Sequence, residues 1–152
     1  MLILIDTNIL STLCHPRMSR ETAKWFSDRI RDPKGPSFTI PEISDYELRR
    51  KLLHLIRTGK ATKESIARLD ALISRLGYDP ITTGIMRCAA DLWASARSEG
   101  KSTKAPESLD GDVILAAQAI EAKGQVLTLN RKHLSRYITV LSPEDVGMPR
   151  EE

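Results

Sequence analysis

Cysteine is scarce in this chain, aromatic residues are few and no apolar run is long. Cys14 and Cys88 are its two cysteines, and neither stands in a metal-ligand or redox spacing. The expectation is two free thiols in a reducing cytoplasm rather than a disulfide. The three histidines, His15, His54 and His133, are scattered, with no pair at zinc-ligand spacing. No Gly-rich phosphate loop and no nucleophile elbow are present. These absences argue against a zinc hydrolase, a serine hydrolase and a P-loop NTPase. No apolar stretch approaches the roughly 20 residues needed to cross a bilayer. The opening MLILI has no basic region before it and is broken by Asp6, so neither a signal peptide nor a membrane association is expected.

What is present suits an ordinary globular domain. The chain has 152 residues, of which 41% are hydrophobic and 28% charged, enough for one domain with a real core. Its formal charge of +3 is compatible with a polyanionic partner without establishing one. No repeat, low-complexity tract or second boundary interrupts it. A single domain is expected over residues 1–146, followed by a flexible tail at 147–152.

Leu2–Ile5 is a continuous apolar run, the pattern of a strand covered on both faces. Ser37–Ile40, Tyr78–Ile81, Val126–Leu129 and Ile138–Leu141 read as further short strands. Between them, apolar residues recur at helical spacing over Ile9–Leu13, RETAKWFSDRI, Ile43–Ile56, residues 66–76, Ile85–Ala96 and Val113–Ala122. Residues 100–108 read as a loop, and Gly124 as a helix terminator. Strands alternating with helices predict a parallel sheet with helices on both faces. Ligand sites in such folds lie beyond the carboxyl ends of the strands. Asp6 directly follows the first strand and Asn130 follows VLTL, so both are expected to face one crevice.

Carboxylates carry the chemistry. Asp6 in LIDTN, Glu47 in ISDYEL, and Asp110 and Asp112 in LDGDVILAAQA come from distant parts of the chain. Acids gathered in one pocket repel one another, and a divalent cation is the usual compensation. Oxygen ligands suit Mg²⁺ or Mn²⁺. The pattern points to a metal-dependent enzyme acting on phosphate esters. Each acid also has an ordinary structural reading. Asp6 can cap the helix near Ile9, a service that Thr7 and Asn8 also offer. Ser44–Glu47 matches the capping-box pattern, although Glu47 lies near the buried boundary of its helix, where a carboxylate needs a partner. Asp110 can cap the following helix, and Asp112 in its first turn is favoured by the helix dipole. Asn130 is a neutral oxygen donor or a turn residue. Two basic regions flank these acids: Arg131, Lys132, His133 and Arg136 after Asn130, and Arg49, Arg50, Lys51, Arg57, Lys60 and Lys63 around the third helix. Either suits a polyanion or a solvated face.

With these motifs in view, the chain resembles the PIN-domain family, especially its VapC-like ribonuclease toxins, over roughly Met1 to Leu141. LIDTNIL resembles the family's opening strand and first acid, Asp6. ISDYELRRKL resembles the segment with the second acid, Glu47. LDGDVILAAQAIEAKG resembles the third motif, whose acid is Asp112, and VLTLNRKHL the closing motif, with Asn130 where many members carry an acid or Asn. Asp110 is a candidate to substitute for that fourth acid. The resemblance implies a three-layer α/β/α sandwich with a central, mostly parallel sheet. It also implies dependence on Mg²⁺ or Mn²⁺, endonucleolytic cleavage of RNA, a small antitoxin partner and a homodimer. Asp6, Glu47 and Asp112 would be catalytic, with Asp110 and Asn130 as further metal ligands.

Two competing readings belong beside this one. A catalytically silent PIN-like module would bind RNA or protein without cutting. A phosphoryl-transfer or receiver protein also uses strand-end acids and Mg²⁺, but the D-x-D-x-T motif and an adjacent acid pair after the first strand are missing.

Overall fold

A computed structural model describes residues 1–100 and 110–151. The loop expected at 100–108 lies outside them except for its first residue. Five strands form one sheet: β1 (Leu2–Ile5), β2 (Ser37–Pro41), β3 (Gly77–Asp79), β4 (Gln125–Leu127) and β5 (Val140–Leu141). Among the described residues, seven α-helices accompany them: α1 (Thr7–Leu13), α2 (Arg20–Arg31), α3 (Glu42–Arg57), α4 (Glu64–Arg75), α5 (Thr83–Ser98), α6 (Asp110–Ala122) and the single turn α7 (Arg131–Leu134). The strand order is β3-β2-β1-β4-β5, and every pairing is parallel. The fold is a three-layer α/β/α sandwich.

Strand alternation explains the layers. Side chains along a strand point to opposite faces. Ile3 and Ile5 therefore enter a core built with Leu10 of α1, Trp25 and Phe26 of α2, and Leu69 of α4. Leu4, between them, enters a second core with Leu115 and Ala119 of α6, Leu134 of α7 and Val140 of β5. All three β1 residues are fully buried, as a doubly covered strand requires. α5 packs outside α6 through Ile85, Ala89, Val113 and Ala117. α3 belongs to both sides, with Ile43 in one core and Leu48 in the other.

Local chemistry sets several boundaries. Ser19 Oγ accepts from Thr22 N at 3.1 Å to start α2, and Thr82 Oγ1 accepts from Ile85 N at 3.1 Å to start α5. The amide-less Pro80 follows β3, which ends at Asp79 rather than Ile81. Gln118 is fully buried and therefore needs partners. Its side chain accepts from Ile43 N at 3.3 Å and donates to Asp79 O at 2.6 Å, tying α6 to the start of α3 and the end of β3. No helix among the described residues is long and apolar enough to cross a membrane.

Three local expectations are revised. Lys123, not Gly124, takes the left-handed conformation that ends α6, with φ of 54°. Gly124 is needed for close approach instead, because a Cβ there would come within 2.5 Å of Leu4 Cδ1. β4 ends at Leu127, because Leu129 N turns aside to donate to Asn8 Oδ1 at 3.3 Å. Finally, residues 148–151 fold back onto the domain, within the segment expected as a flexible tail. Met148 is buried in the first core, and Glu151 Oε1 accepts from Ser19 Oγ at 2.7 Å. Just before it, Val146 O accepts from Trp25 Nε1 at 3.0 Å and from Arg29 Nη2 at 3.1 Å.

Candidate active site

The sheet winds outward from β1 in both directions, to β2 and β3 on one side and to β4 and β5 on the other. Connections leaving the carboxyl ends of β1 and β4 therefore diverge, and the crevice expected of such a sheet belongs between them. Asp6 is the first residue past β1. Its amide continues the sheet by donating to Leu127 O at 3.1 Å. Its carboxylate is held at both oxygens: Oδ1 accepts from Thr7 N at 2.7 Å and Oδ2 from Thr128 Oγ1 at 2.6 Å. Asp6 is thus the N-cap of α1 as well as the residue at the crevice, so the two readings of it coexist.

Thr128 was not singled out by sequence reasoning, yet it joins two candidate residues. It is fully buried at the end of β4. While its hydroxyl donates to Asp6, the same oxygen accepts from Asn130 N at 2.8 Å. The available signal was position: Thr128 follows the buried pair Val126–Leu127 at the mouth of the crevice. Asn130 itself is exposed and precedes α7 without a side-chain cap bond.

Glu47 reaches the crevice from α3. The capping box expected with Ser44 is absent, because the chain passes from β2 into α3 through Pro41, and Ser44 already lies inside the helix. Ser44 Oγ is buried without a hydrogen-bond partner. Glu47 instead accepts from Thr7 Oγ1 at 2.7 Å, so Thr7 touches both acids through different atoms. Gly111 explains how α6 fits beside it, since a Cβ at that position would lie 2.7 Å from Glu47 Oε2. Burial pushes the Glu47 carboxyl above its usual range. The Thr7 hydrogen bond and Arg50 oppose that rise, while the charges of Asp6 and Asp112 add to it. Asp6, Glu47 and Asp112 are therefore electrostatic neighbours despite their distance in sequence.

Asp112 is half-buried in the first turn of α6. Asp110 is exposed and lines a groove with Met86, Trp93 and Ile114, on the side of the helix toward α5. Residues two apart on a helix do not share a face. The basic regions are also divided. Arg49 is engaged by Asp45 and Asp70, and Arg131 lies 3.7 Å from Asp145. Arg50 lies 3.9 Å from Glu47 Oε2, beside the acids. A cleft of ≈ 370 Å³ adjoins this corner, lined by Thr128, Leu129, Arg131 and Arg150 among others.

Among the described residues, no three acids, histidines or cysteines converge closely enough to form a ready-made metal site. The physical reason is visible at two of the acids, where Asp6 and Glu47 turn their oxygens onto Thr7 and Thr128. The donor set nevertheless fits a hard divalent cation: it consists of carboxylate oxygens, and the mutual repulsion felt by Glu47 is what a cation would relieve.

Comparison with known proteins follows the same lines. The sequence profile of the PIN domain family matches residues 3–138. Comparison with curated protein sequences gives no significant match. Among solved structures, the chain is similar to VapBC2 from Rickettsia felis, solved bound to a DNA fragment from its promoter. There the identity is 16% and the TM-score 0.71, over 93% of this chain and 98% of that one. DNA-bound VapBC from Salmonella typhimurium shares 19% identity at a TM-score of 0.70, with the same coverage. A toxin–antitoxin complex from Klebsiella pneumoniae shares 20% identity at a TM-score of 0.58, over 93% of this chain and 97% of that one.

Proposed function

The chain belongs to the PIN domain family, and from that premise we propose that it is a metal-dependent endoribonuclease, the toxin of a toxin–antitoxin pair. The single observation that carries the reading is the electrostatic meeting of Asp6, Glu47 and Asp112 at the crevice beyond β1 and β4.

In this reading Asp6 and Asp112 would hold the principal Mg²⁺ or Mn²⁺, with Glu47 binding directly or through water; Asn130 would be the further candidate, whereas Asp110 is turned toward the α5 groove. Once bound, such a cation supplies Lewis acidity toward water and the phosphoryl oxygens. The remaining work falls to the chain. Thr7 N and Thr128 Oγ1 fix the orientation of Asp6, and Thr7 Oγ1 fixes Glu47. Asn130, held at its amide by Thr128, offers a neutral amide to a phosphate or a water. The reaction is attack of water on an RNA phosphodiester with fission of one P–O bond.

The Klebsiella neighbour is itself a toxin–antitoxin complex, which supports a small antitoxin as partner here. A homodimer and a cytoplasmic location are part of the same proposal. A second reading, a silent RNA- or protein-binding module, is favoured by the lack of a ready-made metal cluster among the described residues.

The test is cleavage of a mixed small-RNA pool by wild type and Asp6→Asn with Mg²⁺, Mn²⁺ or EDTA. Metal-dependent cutting that the variant loses is the expected result. A folded wild type that cuts nothing under any metal would select the silent module.

A further inference from the structure

Most aromatic rings of this chain are used in packing. Trp25, Phe26 and Phe38 form a buried cluster of tilted and edge-on rings. The hydroxyl of Tyr78 donates to Asp45 Oδ2 at 2.8 Å. Tyr46 is different. It is 55% exposed, more than any other aromatic among the described residues. An apolar ring left in water forgoes burial energy, and this one adjoins Glu47 in sequence.

Arg50 links that ring to the crevice. One helical turn from Tyr46, its guanidinium carbon stands 5.0 Å from the Tyr46 ring centroid. The same side chain reaches within 3.9 Å of Glu47 Oε2 while staying 60% exposed. Neither contact binds it tightly: an exposed ion pair at this distance contributes little, and so does an exposed cation–π contact. Arg50 can therefore exchange both for a phosphate at small cost. A planar ring that is more than half exposed, beside an equally exposed guanidinium at the edge of the acids, matches the chemistry of an unpaired nucleotide once Arg50 leaves the ring for a phosphate. Bases stack on such rings without regard to sequence, and guanidinium groups bind phosphate through paired hydrogen bonds.

We propose that Tyr46 and Arg50 form a single-nucleotide clamp next to the reaction site, with the ring stacking on an unpaired base and Arg50 holding its phosphate. The clamp selects single-stranded over duplex RNA, because a base inside a helix cannot reach the ring. This inference rests on the RNA-hydrolase reading and adds to it two residues that bind the substrate beside the acids.

The experiment measures fluorescence anisotropy of labelled single-stranded and duplex RNA in EDTA at low salt, where no cutting occurs. It compares wild type, Y46A, Y46F, Y46W, R50A and R50K, each checked for an unchanged melting temperature. Y46A is expected to weaken single-strand binding by about 5- to 150-fold, the range for loss of one stacked base. Y46F and Y46W should stay near wild type, and Y46W should gain a tryptophan signal quenched by single-stranded RNA. R50A should lose more than R50K. Duplex binding should be nearly unchanged throughout. In Mg²⁺ or Mn²⁺, Y46A should raise KM more than it lowers kcat. If wild type cuts RNA but Y46A binds and cuts single strands as wild type does, the clamp is wrong and the nuclease reading stands. An equal loss on duplex RNA overturns the clamp as well. If wild type neither binds nor cuts RNA, both fail together.

Discussion

Thr128 Oγ1 donates to Asp6 Oδ2 at 2.6 Å, so a hydroxyl at the end of β4 fixes a carboxylate at the end of β1, 122 residues earlier in the chain. The same oxygen accepts from Asn130 N, so one buried hydroxyl sets the geometry of both strand ends. Thr128→Val keeps the shape and removes both bonds. A hydrogen bond to a charged group contributes roughly 1.5–3 kcal/mol, so Thr128→Val should lower stability by about 2 kcal/mol. RNA cleavage should fall at least tenfold, and Thr128→Ser should restore much of both losses. Thermal melts and initial rates check this. A valine variant with wild-type melting and rate would mean that Asp6 needs no such brace.

Gly111 offers a substitution in which stability and activity should move apart. Alanine is the better helix former by up to about 1 kcal/mol, which favours Gly111→Ala on propensity alone. Its Cβ, however, would sit 2.7 Å from Glu47 Oε2. The end of a flexible side chain yields more readily than a backbone, so Glu47 should swing away and the fold should hold. The expected variant melts within a few degrees of wild type and cuts RNA at least tenfold more slowly. Full activity would show that Glu47 has no required position.

Glu47 carries a pH prediction. Its folded-state carboxyl titrates above the usual range, chiefly through burial, with Asp6 and Asp112 adding repulsion. For an acid shifted upward, the folded state binds the proton more tightly than the unfolded chain. The resulting penalty is absent at low pH, where both states are protonated. It grows as pH rises through the unfolded carboxyl range near about 4.3 and is complete above the folded value. Glu47→Gln removes the charge and keeps an oxygen for Thr7. Its melting temperature should exceed wild type at pH 7.5 and converge with it below about pH 4, while RNA cleavage disappears. Equal melting curves at pH 7.5 would contradict the upward shift assigned to Glu47.

The C-terminal segment should be structural. Met148 is 6% exposed within the first core. Truncating a buried side chain of this size to alanine costs on the order of 2–5 kcal/mol. Met148→Ala should therefore lower the melting temperature by roughly 5–15 °C at this chain length. Calorimetry of that variant, beside a chain ending at Gly147, checks it. Unchanged melting in both would return residues 148–151 to the status of a tail.

Much of the frame was readable from periodicity. The apolar run Leu2–Ile5 and the helical spacing of α2, α4 and α5 are local signals, and each appears where the pattern places it. The placing of Asp6 and Asn130 at neighbouring strand ends followed from a rule about parallel sheets, which needs only strand ends and no contacts; the structure links the two through Thr128 Oγ1. What stayed hidden depends on distant partners. Thr128 reads as an ordinary strand threonine until β1 is placed beside β4. Gly111 reads as a weak helix residue until Glu47 is placed against it. Ser44 and Glu47 match a capping box letter for letter, and only the early start of α3 at Glu42 cancels it. Asp110 and Asp112 were separable in advance, because a spacing of two puts side chains on different faces of a helix.

The sheet order also has a consequence in time. β1 is made first, and its second neighbour, β4, is among the last strands to be made. Through the synthesis of more than a hundred intervening residues, one edge of β1 has no strand beside it, and Asp6 has no Thr128. A chain still leaving the ribosome can fold helices α1 to α5 and yet hold no assembled crevice. For an enzyme proposed to cut RNA, the brace on its first acid therefore exists only once β4 has docked beside β1.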